Sequence, residues 1–294
     1  MYKACNLAFG FQSRPLRTVT MSPNPTARQP LKLLMLHGYT QSGTLFHAKS
    51  RALTKHIQKA FPLHEVTAIY PTGPMRLRPS EIPGHEPTGQ PDDEIEAYGW
   101  WRRSNTANPP LYTGIEDGFA AVAQTLKTEG PFDGVIGFSQ GAAMAAMLTA
   151  LLEGRKESFE HFAKITEDGA TGMEIPAPFG ETFHPPLKFA ILYSGFRAPG
   201  ARYKAFYEPA IATPALHVLG SLDAVVDETR GRALIEACVG DPEKDGSVVW
   251  HPGGHFLPSQ RPYLDAAVRF IREQLEGGKK KVEEVDVNDM DMPF

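Results

Sequence analysis

The chain has 294 residues, a formal net charge of -4 and 41% hydrophobic residues. That size supports one large α/β domain with a full core; the mild acidity argues against a nucleic-acid partner, and no run approaches the roughly 18 apolar residues of a membrane span. Two cysteines, Cys5 and Cys238, lie far apart and form no CxxC pair, which excludes a disulfide framework and a cysteine metal site and points to a reducing compartment, the cytoplasm or also the nucleus.

In chain order, the first thirty residues carry Lys3, Arg14, Arg17 and Arg28 and no acid. They fit a solvated extension better than a mitochondrial presequence, because helical periodicity is weak and prolines crowd the end; the presequence stays open, as does a second start at Met21. LKLLMLHG (Leu31–Gly38) is an apolar strand running into a turn, and EVTAIYP (Glu65–Pro71) is a second strand. Pro71–Pro110 is rich in Pro and Gly, has no long periodic run and holds the pair Trp100-Trp101. In IEDGFAAVAQTLK, Ile115, Phe119, Val122 and Leu126 share one helical face. FDGVIGF (Phe132–Phe138) is a third strand, followed by an Ala/Met/Leu helix. Glu153–Pro186 begins as a helix and then loosens. LKFAILYSG (Leu187–Gly195), TPALHVLG (Thr213–Gly220) and GSVVWHPGG (Gly246–Gly254) are three more strands. Leu264, Ala267, Val268, Ile271 and Leu275 mark a last amphipathic helix, and KKKVEEVDVNDMDMPF is a solvated tail.

Near-continuous apolar strands alternating with helices predict an α/β fold: a mostly parallel central sheet of about six strands with helices on both faces. The domain spans residues 31–276, between an extension at 1–30 and a charged tail at 277–294. The two long irregular segments, Pro71–Pro110 and Glu153–Pro186, are expected at the carboxyl edge of the sheet, where such folds bind ligands.

Gly137-Phe138-Ser139-Gln140-Gly141 matches G-x-S-x-G, and it closes an apolar strand and opens a helix. In that context the serine occupies a strained corner, with small residues two positions to either side. The following helix directs its N-terminus at the site and favours developing negative charge. A serine hydroxyl needs a base, and this architecture supplies one late in the chain, after an acid. His255, in the loop after the last strand, is favoured over His251 at that strand's end. Asp223, in the turn after the fifth strand, is favoured over Asp227, whose alternative role is the first turn of the next helix. Asp133, Asp241 and Asp245 precede strands and lie at the wrong edge. Oxyanion donors are expected from the backbone N–H groups of Gln140 and of Tyr39, with His37 bracing the turn beside it. Trp100, Trp101 and Tyr98 have two readings, the wall of an acyl pocket or the packing of a long loop; Trp100 and Trp101 are the substrate-binding candidates. His217 lies mid-strand and reads as a core histidine. No histidine spacing suits a metal, and no Gly-rich phosphate loop follows a strand, so neither a metal nor a nucleotide cofactor is expected.

LHGYTQSG, YPTGPMRL, FDGVIGFSQGAA, YSGF, LGSLDAVVDE and HPGGHFLP, in this order, resemble the fungal family of serine hydrolases, the FSH family within the α/β-hydrolases. The resemblance covers about Leu31 to about Leu275. It implies a compact α/β-hydrolase without a large lid, Ser139, Asp223 and His255 as a triad, and carboxylesterase or thioesterase chemistry on a small-molecule ester or thioester. Some similar fungal proteins release polyketide chains from their synthases, which would make an acyl carrier domain a partner. A catalytically silent α/β-hydrolase fold serving as a binding protein is the alternative from another class.

Overall fold

The computed structural model describes residues 28–84, 96–104, 106–167 and 169–277. The expected tail from 278 onward, the extension up to residue 27, and residues 85–95 of the Pro71–Pro110 segment lie outside the described residues.

All six predicted strands form: β1 (Gln29–Leu36), β2 (His64–Ile69), β3 (Gly134–Phe138), β4 (Phe189–Tyr193), β5 (Ala215–Gly220) and β6 (Val248–His251). They build one sheet in the order β6-β5-β4-β3-β1-β2, with every pairing parallel. Antiparallel pairing among the described residues is confined to two-residue ribbons and one isolated bridge, Gln41 with Tyr98. The strand order reverses between β1 and β3, and a reversal of this kind opens a crevice at the carboxyl ends of the two strands. The β1 turn and Ser139 both sit there.

Among the described residues six α-helices accompany the sheet: α1 (Gly43–Ala60), α2 (Ile115–Glu129), α3 (Gln140–Leu152), α4 (Lys156–Phe162), α5 (Glu228–Ile235) and, after the last strand, α6 (Arg261–Glu276). Period-two alternation in the strands divides the core into two layers. Leu33, Met35, Ile136, Ile191 and Val218 pack under α1 and α6. Leu34, Leu36, Val135, Ala190 and Leu192 pack under α2 and α3. In α2 the predicted face of Ile115, Phe119, Val122 and Leu126 is buried. Every residue of α3 is buried, which is why its sequence is apolar all round and shows no stripe. α1 starts at Ser42, whose hydroxyl accepts the Leu45 N–H at 3.1 Å. No described helix is long and apolar enough to cross a membrane.

One expectation is corrected. Glu153–Pro186 does not emerge at the carboxyl edge, because α3 has already carried the chain back to the amino edge. Glu153 accepts the Thr213 N–H at 2.7 Å, just ahead of β5, and His184 Nε2 accepts the Phe132 N–H at 2.8 Å, just ahead of β3. The segment instead forms α4, a two-residue ribbon (Thr166–Glu167 with Ala170–Thr171) and a short 3-10 turn at Ala177–Phe179.

His217 is a core histidine on β5, with Nε2 3.6 Å from Cys238 Sγ. Burial lowers the imidazole to about 4 and pushes the thiol up to about 12, so the two face each other as neutral groups. Below about pH 6.5 the unfolded chain takes up a proton at His217 that the folded chain refuses until about pH 4, so this residue's contribution to stability is lost as pH falls through that window. Urea unfolding at pH 7 and pH 4.5 checks this: wild type should lose about 2 kcal/mol more between the two pH values than His217→Leu does.

Candidate active site

The turn from β3 to α3 places Ser139 at φ 53° and ψ -117°, a backbone conformation unfavourable for a residue with a Cβ. Such strain costs about 1–3 kcal/mol and persists only where neighbours enforce it. Here the enforcement is visible. A Cβ on Gly137 would lie 2.6 Å from Ala142 N, and one on Gly141 would lie 2.5 Å from the His37 carbonyl oxygen. Both glycines therefore admit backbone: Gly137 the start of α3, Gly141 the end of β1. The Ser139 N–H donates to the Tyr193 carbonyl at 2.8 Å, which extends the β3–β4 pairing through the corner.

The side chain that this corner raises meets two others. Ser139 Oγ is 2.8 Å from His255 Nε2, and His255 Nδ1 is 2.8 Å from Asp223 Oδ2. The structure thus brings together the three residues singled out from the sequence and leaves out both rivals. Asp227 caps α5, accepting the Arg230 N–H at 3.0 Å. His251 is buried, its ring packed near Phe256 and Tyr263, with Nδ1 accepting the Gly253 N–H at 3.2 Å. The Asp223 side chain is 3% exposed. Burial alone would raise its carboxyl, but the hydrogen bond to His255 and the N–H groups of Val226 and Val225, each 2.9 Å from Oδ1, outweigh that and hold it below the ordinary range. Asp223 is thus kept ionised beside the His255 N–H, which suits it to orient an imidazole and stabilise its charged form.

On the other side of Ser139, two backbone N–H groups lack protein acceptors among the described residues. One is that of Gln140, the first residue of α3, which has no intrahelical partner by position. The other is that of Tyr39, in the turn after β1. The neighbouring bonds from Thr40 N to the Tyr98 carbonyl (2.9 Å) and from Gln41 N to the Gly38 carbonyl (3.2 Å) fix that turn. His37 braces it as expected. Its Nε2 accepts the Gly73 N–H at 2.8 Å, so the proton sits on Nδ1 and points at the Gly38 carbonyl, also at 2.8 Å. Burial lowers this imidazole to about 4, so it stays neutral and keeps that tautomer.

Trp100 and Trp101 do not line a pocket. They are 0% and 1% exposed, and their rings pack into the core, Trp101 stacked on Tyr112 with centroids 4.7 Å apart. What they contribute is bracing. Trp100 Nε1 donates to the His37 carbonyl at 2.9 Å. The Gln140 side chain grips the same segment, with Oε1 accepting the Trp100 N–H at 2.7 Å and Nε2 donating to the Trp101 carbonyl at 2.9 Å. Sequence reasoning assigned Gln140 only its backbone N–H and missed this clamp. The available signal was an amide with one donor and one acceptor direction beside the nucleophile, opposite a loop whose own backbone needs both.

A parallel sheet with helices on both faces, a switch-point crevice, a serine on a strained strand-to-helix corner and a Ser–His–Asp hydrogen-bonded line together define an α/β-hydrolase. A family profile described as "Serine hydrolase (FSH1)" matches residues 26–267. Esterase OVCA2 of Danio rerio is 34% identical over 254 residues, covering 82% of this chain and 98% of that protein. Family of serine hydrolases 3 of Saccharomyces cerevisiae is 32% identical over 275 residues, covering 89% and 92%. This chain therefore belongs to the FSH1 serine hydrolase family, and it is a hydrolase acting on ester bonds. A Schizosaccharomyces pombe protein named dihydrofolate reductase is 32% identical over 249 residues, but the chain spans only 45% of its length. In fold the chain is similar to the Zea mays acyl-protein thioesterase 2 structure, with a TM-score of 0.53 at 21% identity, covering 86% of this chain and 96% of that one.

The clamp gives a stability expectation. Gln140→Leu leaves the Trp100 N–H and the Trp101 carbonyl buried and unpaired, and each such group costs about 1–3 kcal/mol. Urea unfolding should report a loss in that range or above, and an unchanged midpoint would refute the clamp.

Proposed function

We propose that this enzyme hydrolyses carboxylic esters and thioesters through an acyl-enzyme on Ser139. The observation that carries this is the pair of 2.8 Å contacts linking Ser139 Oγ to His255 and His255 to Asp223. Ser139 Oγ attacks the acyl carbonyl while His255 Nε2 takes its proton. The negative charge that develops on the carbonyl oxygen is met by the N–H groups of Tyr39 and Gln140 and by the N-terminus of α3. As the tetrahedral carbon expels the alcohol or thiol, His255 gives the proton to the departing oxygen or sulfur. Water then attacks the acyl-serine with His255 as base, and release of the acid restores Ser139. Asp223 stays ionised throughout and holds the imidazole through Nδ1. These steps use no metal and no cofactor.

The machinery is the same for an oxygen ester and a thioester, so the choice between them rests on the surfaces around it. Matched oxygen ester and thioester series of increasing chain length separate a general esterase from a dedicated thioesterase: equal rates across the two series favour the former. An acyl carrier domain enters only with the latter.

A fluorophosphonate probe should label the protein, and Ser139→Ala should abolish labelling; labelling that survives this substitution rules out the nucleophile. Asp223→Asn should lower kcat by about four orders of magnitude, because it favours the wrong imidazole tautomer. An ester-hydrolysis assay that finds Asp223→Asn close to wild type would remove the orienting role.

A further inference from the structure

With Trp100 and Trp101 buried, the substrate-facing surface lies elsewhere. Large hydrophobic side chains left exposed are few among the described residues, and three of them flank the acid and the base. Leu222 is 72% exposed and Val225 62%, on either side of Asp223; Phe256, next to His255, is 44% exposed. The two loops form one surface. The Leu222 N–H donates to the Gly253 carbonyl at 3.0 Å, and the Phe256 ring lies over Gly253, where an added Cβ would meet Cε1 at 2.6 Å. Asp223 causes the outward display: its carboxylate turns inward to accept the Val225 and Val226 N–H groups, so the turn buries Asp223 and Val226 and leaves Leu222 and Val225 outside. Neither GSLDAVV (220–226) nor PGGHFLP (252–258) contains a Lys, Arg or Glu, and the one acid, Asp223, is turned away from solvent.

We propose that Leu222, Val225 and Phe256 form the binding surface for the leaving group of the ester, and that they select an apolar alcohol or thiol. This rests on the acyl-enzyme reading of Ser139. The side of the substrate follows from the chemistry. His255 must hand its proton to the departing oxygen or sulfur as the carbon–oxygen or carbon–sulfur bond breaks, so the leaving group lies against the His255 side of Ser139. The carbonyl oxygen lies against Tyr39 and Gln140. An exposed apolar surface built on the base and acid loops therefore meets the alcohol portion, and the acyl chain extends away from it.

Two ester series test this, with kcat/KM measured by titration of released acid. One varies the alcohol (methyl, butyl and hexyl acetate), and the other varies the acid (methyl acetate, butyrate and hexanoate). Wild type should prefer hexyl over methyl acetate by about tenfold, as expected for methylenes that gain partial burial. The double variant Leu222→Ser/Phe256→Ser should flatten that preference to near unity, Phe256→Leu should keep most of it, and Leu63→Ser, an exposed leucine ahead of β2, should leave it intact. A preference that survives in the double variant overturns the proposal. So does a wild type indifferent to the alcohol, or a double variant whose selectivity changes in the acid series instead. A protein that labels with fluorophosphonate but shows no alcohol preference fails this proposal alone, whereas one that neither labels nor hydrolyses any ester fails the acyl-enzyme reading and this proposal with it.

Discussion

The site depends on one backbone corner. Ser139 holds a positive φ that costs energy, and the cost is met because the start of α3 is pressed against the ends of β1 and β3 through Gly141 and Gly137. Those contacts leave no room for a Cβ, so the corner cannot relax toward an ordinary strand-to-helix turn. Three things follow from the same contact. The hydroxyl is raised toward His255, the Gln140 N–H is left without a protein acceptor among the described residues at the helix N-terminus, and the end of β1 is packed against the start of α3 at Gly141.

The rest of the site is arranged to keep that corner supplied with fixed partners. On one side, His37, Trp100 and the Gln140 amide tie the β1 turn to the 98–101 segment through paired backbone groups. On the other, Asp223 is held by two N–H groups of its own turn and meets His255 across the gap between the β5 and β6 loops. Neutral buried histidines such as His37 brace, while His255, bonded to the Asp223 carboxylate, faces the serine. The chain thus uses its buried imidazoles as fixed hydrogen-bonding rods and keeps His255 partly open to solvent.

Much of this was legible in the sequence, for definite reasons. The four inner strands β1, β3, β4 and β5 are largely buried on both faces, so they read as apolar runs, and parallel connectivity puts the ends of β3, β5 and β6 on one edge. That fixed Ser139, Asp223 and His255 by chain position, and the rivals Asp227 and His251 find local partners instead. What stayed hidden depends on contacts between segments distant in sequence. Adjacent tryptophans carry no mark that distinguishes a pocket wall from a core, and only the Gln140 amide across the fold shows that Trp100 and Trp101 are braces. Glu153–Pro186 lies at the opposite edge from the one expected, because a loop's edge depends on whether the preceding helix has returned across the sheet, which periodicity does not record. The apolar residues beside Asp223 and His255 were visible as letters, but their exposure is a product of the Asp223 turn.

The strand order distributes the chemistry unevenly across the sheet. Ser139 rides on β3, flanked on both sides, whereas Asp223 and His255 leave from β5 and from β6, the outermost strand, joined by bonds such as Ser221 N to the His251 carbonyl at 2.9 Å. Edge strands open locally at less cost than central ones. The strand behind His255 thus has one neighbour where those behind Ser139 and Asp223 have two, so of these three residues His255 depends most on bonds between loops, and least on the sheet, for its place.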